Sequence, residues 1–192
     1  MKQKKFNAKF MAQGAIIAAL YAALTILFAP ISYGAVQVRI SEAFTILPLF
    51  TPAAIPGLFI GCLLANILGG AIVWDIIFGS IATLIGAALG YLLRFNRWLV
   101  PIPTIVSNSV IIPFILKYGY AIDMPIGLLI VYIAIGEIIG CYLLGELLGS
   151  AILRRGDLRN IFSREDKKAK AALQEEYQDF EDDHHDEYDR DL

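Results

Sequence analysis

A few charged and amide side chains interrupt an otherwise apolar stretch of the chain, and their chemistry suits recognition of a small polar molecule. Carboxylates accept N–H donors, whereas guanidinium and amide groups donate to carbonyl oxygens. Ionisable groups inside an apolar membrane segment are costly, so they usually face a cavity or a partner. The side chains of this kind are Arg39, Glu42, Asn66, Asp75, Asn108 and Glu137. They predict a polar binding pocket within an apolar body.

Motifs typical of catalysis are missing from the sequence. Both histidines, His184 and His185, lie in the acidic C-terminal stretch, so neither is expected to assist a buried nucleophile. The sequence has no HExxH, GxSxG or Walker A motif, so any ATP that drives its activity must bind to another chain. Cys62 and Cys141 lie in apolar runs without a second ligand nearby, which favours small buried hydrophobes over a metal site. We therefore expect no enzyme, no bound cofactor and no metal.

The apolar body has the composition of a membrane protein. Hydrophobic residues make up 57% of the 192 residues, compared with about 45–50% in soluble domains. Only nine Asp, Glu, Lys or Arg residues lie between Phe10 and Leu153. A helix needs about 20 apolar residues to cross the hydrocarbon layer. Five stretches are long enough, at about 10–29, 53–69, 72–93, 98–117 and 125–153, and residues 41–50 form a shorter sixth stretch.

The positions of the basic residues favour the interpretation that residues 41–50 form a sixth transmembrane helix. With six crossings, the basic N-terminus, Arg94 with Arg97, and Arg154 with Arg155 all fall on the cytoplasmic side, where Lys and Arg accumulate. With five crossings, the two basic termini would lie on opposite sides. The predicted fold is an all-α bundle of six transmembrane helices, residues 1–155, with both termini cytoplasmic and a short second helix. Residues 156–192 are predicted to form a charged, largely disordered cytoplasmic tail.

Small residues at four-residue spacing predict close helix packing, because they let helix backbones approach within a membrane. The third and sixth helices each carry one such stripe, consisting of Gly57, Gly61, Ala65 and Gly69, and of Cys141, Gly145 and Gly149. The first helix carries two, Ala15, Ala19 and Ala23 beside Gly14, Ala18 and Ala22. A single stripe is enough for an internal contact. The first helix is therefore a candidate contact for another subunit.

The predicted topology places most of the polar groups towards the outer face. Tyr33, Gln37 and Arg39 fall on the outer loop after the first helix, and Glu137 lies about 18 Å into the sixth helix from outside. Arg39 is open to two interpretations, a salt bridge to Glu42 or direct ligand contact. Three acidic side chains, Glu42, Asp75 and Glu137, lie towards the outer face, which is more than helix capping would require. Glu146 points to the opposite side of the sixth helix from Glu137 and is assigned to the inner side or an interface.

Several stretches together carry a family resemblance that covers about residues 8–155. They are residues 36–43 (VQVRISEA), 47–48 (LP), 50–57 (FTPAAIPG), Asn66 with Gly69 and Gly70, and Asp75 with Gly79. With these motifs the chain resembles the QueT family. Members of that family are substrate-binding S components of energy-coupling factor transporters and are associated with queuosine precursors. The Gln-x-Arg-x-Ser-Glu stretch is fairly specific.

The resemblance implies a six-helix S component in a prokaryotic plasma membrane. Such a component captures substrate near the outer face and docks on a T protein with two ATPases, without contacting nucleic acid. Family members present an Ala-x-x-x-Ala pattern on the first helix to the T protein. Ala15, Ala19 and Ala23 match this pattern, and Ala18 with Ala22 offers a second register.

The implied ligands are 7-deazaguanines, such as the 7-aminomethyl or 7-cyano form, or queuine. The adjacent N–H donors of the guanine-like edge suit one carboxylate, Glu42 or Glu137. A flat ring suits an aromatic face, that of Trp74 or Tyr33, and a cationic aminomethyl group would pair with Asp75. The 6-oxo group needs a hydrogen-bond donor. Four side chains offer one, namely Gln37, Arg39, Asn66 and Asn108.

Other classes of function remain open at this stage. An S component for another ligand, such as a vitamin with a flat polar ring, has the same general features. A stand-alone secondary transporter often shows two related halves, and the sequence has no clear internal repeat. An intramembrane enzyme is disfavoured by the missing catalytic motifs, and a pure scaffold by the polar groups gathered towards one face.

Overall fold

Six principal helices make up the fold. The computed structural model describes residues 8–154, and every regular element in that range is helical. The helices are α1 (Ala8–Leu27), α2 (Ile40–Leu49), α3 (Ala54–Leu68), α4 (Asp75–Leu92), α5 (Arg97–Gly119) and α6 (Ile126–Arg154). All six predicted stretches are therefore helices, with ends shifted by a few residues. The predicted tail, 156–192, lies outside the described residues.

Four of these helices are long and apolar enough to cross a membrane, namely α1, α4, α5 and α6. The other two are shorter. At about 1.5 Å per residue α3 is roughly 22 Å long, and α2 is roughly 20 Å long at the 3₁₀ rise of about 2.0 Å. The architecture is thus a membrane-type bundle in which four full-length helices pack with two short ones.

The short second helix is a 3₁₀ helix, and it lies at the centre of the bundle. Pro48 lies inside it, and proline has no N–H to donate to an α-helical ladder. The helix packs against α1, α3, α4 and α6. Most of its side chains are buried, and Ile46 is fully buried. Because neighbouring helices surround it, α2 brings Ser41 and Glu42 into the interior.

The stripe on α3 has the predicted role in internal packing, and the helix that it contacts is α1. A Cβ atom at Gly57 would lie 2.9 Å from the carbonyl oxygen of Gly14, and one at Gly61 would lie 3.0 Å from that of Ala18. On α6, Gly145 and Gly149 pack in the same way against Ala43 and Ile46 of α2. Both stripes therefore serve internal packing.

The two alanine stripes of α1 have different surroundings. Ala18 and Ala22 are buried, at 4% and 6% exposure, in the interface with α3. Ala15, Ala19 and Ala23 are exposed. The register with Ala18 and Ala22 was therefore a wrong candidate for a partner contact, because the close α1–α3 packing already covers it.

Replacing Gly61 by Ala is expected to lower the free energy of unfolding by about 1–3 kcal/mol, the usual range for overpacking. The new Cβ would lie 2.8 Å from the Cβ of Tyr21 and 3.1 Å from the Cα of Ala18, atoms that cannot move without shifting α1. Thermal unfolding in detergent measures the effect. Gly127→Ala is the matched control, since no heavy atom lies within 4 Å of its added Cβ. Equal melting temperatures for the two variants would contradict the proposed close packing.

Candidate functional site

Buried polar side chains gather towards one end of the bundle, the end that carries residues 28–39, which we call the site end. The loop before α2 and the near ends of α3, α4 and α6 meet there. The buried members are Gln37, Arg39, Glu42, Asn66, Asp75, Asn108 and Glu137, each at most 7% exposed. The structure thus brings most of the predicted site residues into one region. Glu146 lies apart, at the opposite end, where the Arg97 guanidinium donates to its Oε2 at 2.6 Å.

Two carboxylates and a thiol form the deepest part of the site. One ligand atom each from Glu42, Glu137 and Cys141 lies within 4.8 Å of the others. Tyr21 donates its hydroxyl to Glu42 Oε1 at 2.5 Å. Asn108 Nδ2 donates to Glu137 Oε1 at 2.9 Å, and Cys141 Sγ donates to Glu137 Oε2 at 3.0 Å. These bonds fix the positions of both carboxylates inside the bundle.

The loop that carries Arg39 is held against α6 by two glycines. A Cβ atom at Gly136 would collide with the carbonyl oxygen of Gln37, and one at Gly140 would lie 2.8 Å from that of Arg39. Val38 N also donates to Ile31 O at 2.8 Å. Because α6 has no side chain at these two positions, the loop backbone can lie directly on the helix. This contact places Arg39 beside the acidic groups.

The Arg39 side chain makes contacts that the sequence did not predict. Its Nε donates to Ser32 O at 3.0 Å, and its guanidinium lies 5.3 Å from the ring centroid of Tyr33. Within residues 8–154 it has no carboxylate within salt-bridge distance, so of the two interpretations of Arg39 the salt bridge to Glu42 is wrong. Burial alone disfavours the charged form, but nearby ionisable groups, first Cys62 and Tyr21 and then Asp75 and Glu42, outweigh this and raise its pKa. Arg39 is therefore a buried cation.

Asp75 and Asn66 form a second part of the site, where α4 begins as a π-helical turn (Asp75–Gly79). Asn66 Nδ2 donates to the backbone oxygen of Asp75 at 3.2 Å, and Tyr120 donates its hydroxyl to Asp75 Oδ2 at 3.1 Å. Partial burial raises the pKa of Tyr120, which keeps this hydroxyl protonated. A Cβ atom at Gly79 would lie 2.9 Å from Asp75 Oδ1. A larger residue there would crowd the carboxylate.

Four buried polar atoms in this region have no hydrogen-bond partner within the described chain. They are Asn66 Oδ1, Asp75 Oδ1, Asn108 Oδ1 and Ser109 Oγ. Leaving such a group unpaired costs about 1–3 kcal/mol, so most buried polar groups in proteins are paired. Three acceptors and one hydroxyl therefore remain available to a polar ligand.

The cluster of two carboxylates and a thiol also has side chains of the types that bind metal ions. Among the described residues, Glu42, Glu137 and Cys141 are the one group of His, Cys, Asp or Glu that could hold an ion. Structural zinc sites usually have four ligands, most often Cys and His. The oxygens of both carboxylates already accept hydrogen bonds from Tyr21, Asn108 and Cys141. Each carboxylate oxygen has a second lone pair, so both groups can still accept N–H donors of an organic ligand.

The two candidate aromatic residues lie in different places. Trp74 is 60% exposed and stacks on Phe78, with ring centroids 5.8 Å apart. It lines an apolar groove of about 540 Å³ between α4 and α5, outside the buried polar region. Tyr33 is half-buried beside Arg39 and donates its hydroxyl to Ala65 O at 2.7 Å. Of the two rings, that of Tyr33 is the one in contact with a polar site residue.

Four residues of this region are not among the predicted site residues. They are Tyr21, Ser109, Tyr120 and Cys141. Tyr21 lies within an apolar helix, and its partner Glu42 is 21 residues away. Cys141 was assigned only to the packing stripe of α6. Its four-residue separation from Glu137 was the one local signal that the two side chains share a helix face.

Comparison with known proteins gives two findings. The family model described as "QueT transporter" matches residues 11–154. A relative from Lactococcus lactis subsp. cremoris (strain MG1363), named "Queuosine precursor transporter QueT", is 40% identical over 87 residues. That alignment covers 44% of this chain and 50% of the relative, so it spans half of the relative's length. No solved structure matches the chain significantly.

Proposed function

Since the chain belongs to the QueT transporter family, we propose that it is the substrate-binding S component of an energy-coupling factor importer. Its substrate is a queuosine precursor of the 7-deazaguanine class, such as the 7-aminomethyl form or queuine. The relative named as a queuosine precursor transporter supports this ligand class. The observation that carries the proposal is the set of unpartnered polar atoms of Asn66, Asp75, Asn108 and Ser109, buried beside two carboxylates.

A 7-deazaguanine matches this set of groups. Its pyrimidine edge carries adjacent N–H donors, which the carboxylate of Glu137 or Glu42 accepts. Further N–H groups of the ligand bond to the free Oδ1 atoms of Asn66 and Asn108. The 6-oxo group accepts from the Ser109 hydroxyl or from Arg39, whose Nη1 is 3.9 Å from its nearest hydrogen-bond partner, Cys62 Sγ. Gln37 lies on the same buried loop, and Tyr33 supplies the aromatic face.

The proposed topology has six crossings with both termini in the cytoplasm. Arg94 and Arg97 then lie on the cytoplasmic side, in agreement with the preference of basic residues for that side. The site end faces outwards, so substrate is captured from outside the prokaryotic plasma membrane. The short helix α2 is surrounded by its neighbours, and lipid covers the outer surfaces of the bundle, including the exposed face of α3.

The proposed partners are a transmembrane T protein and two ATPases. The exposed stripe of Ala15, Ala19 and Ala23 is flanked by exposed Ile16 and Leu20. This strip of α1 lets a partner helix approach closely. ATP bound by the partner ATPases supplies the energy, because this sequence contains no Walker A motif.

Calorimetric titration of the detergent-purified protein with 7-aminomethyl-7-deazaguanine tests the ligand class, with guanine and riboflavin as controls. We expect one saturable site with a dissociation constant in the nanomolar range, about −12 kcal/mol. Absence of both heat and thermal stabilisation, from protein shown to be folded, would overturn this ligand class. Vitamins with flat polar rings would then be screened.

Reconstitution in liposomes tests the mode of transport. Uptake is expected only when the T protein, the two ATPases and internal ATP are all present. Uptake by this chain alone would instead establish a stand-alone secondary transporter.

A further inference from the structure

The charges in the site carry an inference about the ligand that rests on the proposed function and makes it more specific. We propose that the site selects a positively charged 7-deazaguanine over a neutral one, and that Asp75 Oδ1 is the atom that binds the positive charge. The 7-aminomethyl compound carries a primary ammonium group at neutral pH, whereas the 7-cyano compound has the same ring system without that charge.

The buried charges of the site are unbalanced. Among the residues that the structure describes, five charged side chains are buried, and Glu146 is paired with Arg97 at the opposite end. The remaining four are Arg39, Glu42, Asp75 and Glu137. One guanidinium therefore faces three carboxyl groups. Because Glu42 and Glu137 lie within 4.8 Å of each other, like-charge repulsion disfavours ionisation of both. One of these two together with Asp75 still gives about one more negative charge than Arg39 offsets. Burial of unpaired carboxylates is strongly unfavourable. A positively charged ligand would therefore offset part of the excess negative charge in the site.

The pattern of hydrogen bonds distinguishes the three carboxylates. Glu42 accepts from Tyr21 and has Cys141 Sγ 3.9 Å from its second oxygen. Glu137 accepts from Asn108 and Cys141, one donor to each oxygen. Asp75 accepts from Tyr120 through Oδ2 only, and its Oδ1 has no partner although the residue is 5% exposed. Asp75 is therefore the carboxylate with a free oxygen for an additional donor.

The surroundings of Asp75 Oδ1 offer a second acceptor for an ammonium group. Gly79 lies beside this oxygen without a side chain, since a Cβ atom there would be 2.9 Å away. The unpartnered Asn66 Oδ1 belongs to the side chain that donates to the Asp75 backbone oxygen. An ammonium group has three N–H donors. Asp75 Oδ1 and Asn66 Oδ1 together can accept two of them.

Paired titrations of the wild-type protein and the Asp75→Asn variant test this inference with the 7-aminomethyl and 7-cyano compounds. The wild type is expected to bind the aminomethyl compound at least about tenfold more tightly, as one buried charge-assisted bond predicts. The Asp75→Asn variant should bind the aminomethyl compound no more tightly than the cyano compound, while its affinity for the cyano compound equals that of the wild type. The amide has the shape of the carboxylate and can still accept from Tyr120, so the fold is expected to persist, and thermal unfolding checks this.

Asp123→Asn is the matched control, because Asp123 is exposed and its contact is Lys117 at 3.6 Å. It should change neither affinity. Equal wild-type affinities for the two compounds, or equal weakening of both by Asp75→Asn, would overturn the inference and leave the proposed function standing. Failure of folded wild-type protein to bind either compound would overturn both.

Discussion

Replacing Glu137 by Gln is expected to weaken binding of 7-aminomethyl-7-deazaguanine by more than about tenfold, the loss that follows when a carboxylate can no longer accept paired N–H donors. Glu137 is buried, and Asn108 and Cys141 hold its carboxylate in place. Glutamine has the same size but offers one acceptor oxygen and an NH₂ group that opposes the ligand donors. Because both compounds share the guanine-like edge, the 7-cyano form should lose as much affinity. Calorimetric titration of both compounds measures the two losses.

Glu146→Gln is the control for this substitution. Glu146 is a buried glutamate on the same helix, but it is bound to Arg97 at the opposite end of the bundle. Its replacement is expected to lower thermal stability and to leave ligand affinity unchanged. If Glu137→Gln bound both compounds as tightly as the wild type, Glu137 would not contact the ligand. A loss confined to the aminomethyl compound would instead assign Glu137 to the positive charge.

Replacing Ala19 by Trp is expected to abolish ATP-driven uptake in liposomes while ligand binding to the isolated protein stays unchanged. Ala19 is the central residue of the exposed alanine stripe on α1. An indole ring there would prevent close approach of a partner helix, since such contacts depend on small residues. The same ring would face lipid in the isolated protein and disturb none of its internal packing. Uptake assays with the complete transporter and calorimetry on the isolated protein give the two readouts.

Val131→Trp serves as the control for the uptake experiment. Val131 lies on α6 and is 50% exposed. A tryptophan at this position therefore also places an indole ring on the outer surface of the bundle. Normal uptake by this variant would show that a bulky aromatic residue on the surface is tolerated in general. Unimpaired uptake by Ala19→Trp would exclude this stripe as the docking surface. Loss of ligand binding in Ala19→Trp would mean that the ring disturbs the fold.

The sequence by itself determined the positions of the helices and the set of polar residues. Apolar runs of sufficient length predict helices in a membrane, because a helix satisfies its own backbone hydrogen bonds there. Glu42, Asp75 and Glu137 are likewise recognisable in the sequence as candidate site residues, since burying charge is costly wherever it occurs. The four-residue spacing of Gly57 and Gly61 also predicted their packing role, which depends only on their size. These properties are local, so they can be read along the chain.

Only the tertiary structure decided which surfaces and side chains meet. The stripes of Ala15 and Ala18 lie side by side on one helix and both consist of small residues. The rotation of α1 against α3 alone exposes one and buries the other. Likewise, Arg39 bonds to Ser32 O rather than Glu42 because the loop backbone rests on Gly136 and Gly140. Relative helix rotation and loop path arise from packing between distant segments, and the composition of each segment does not specify them.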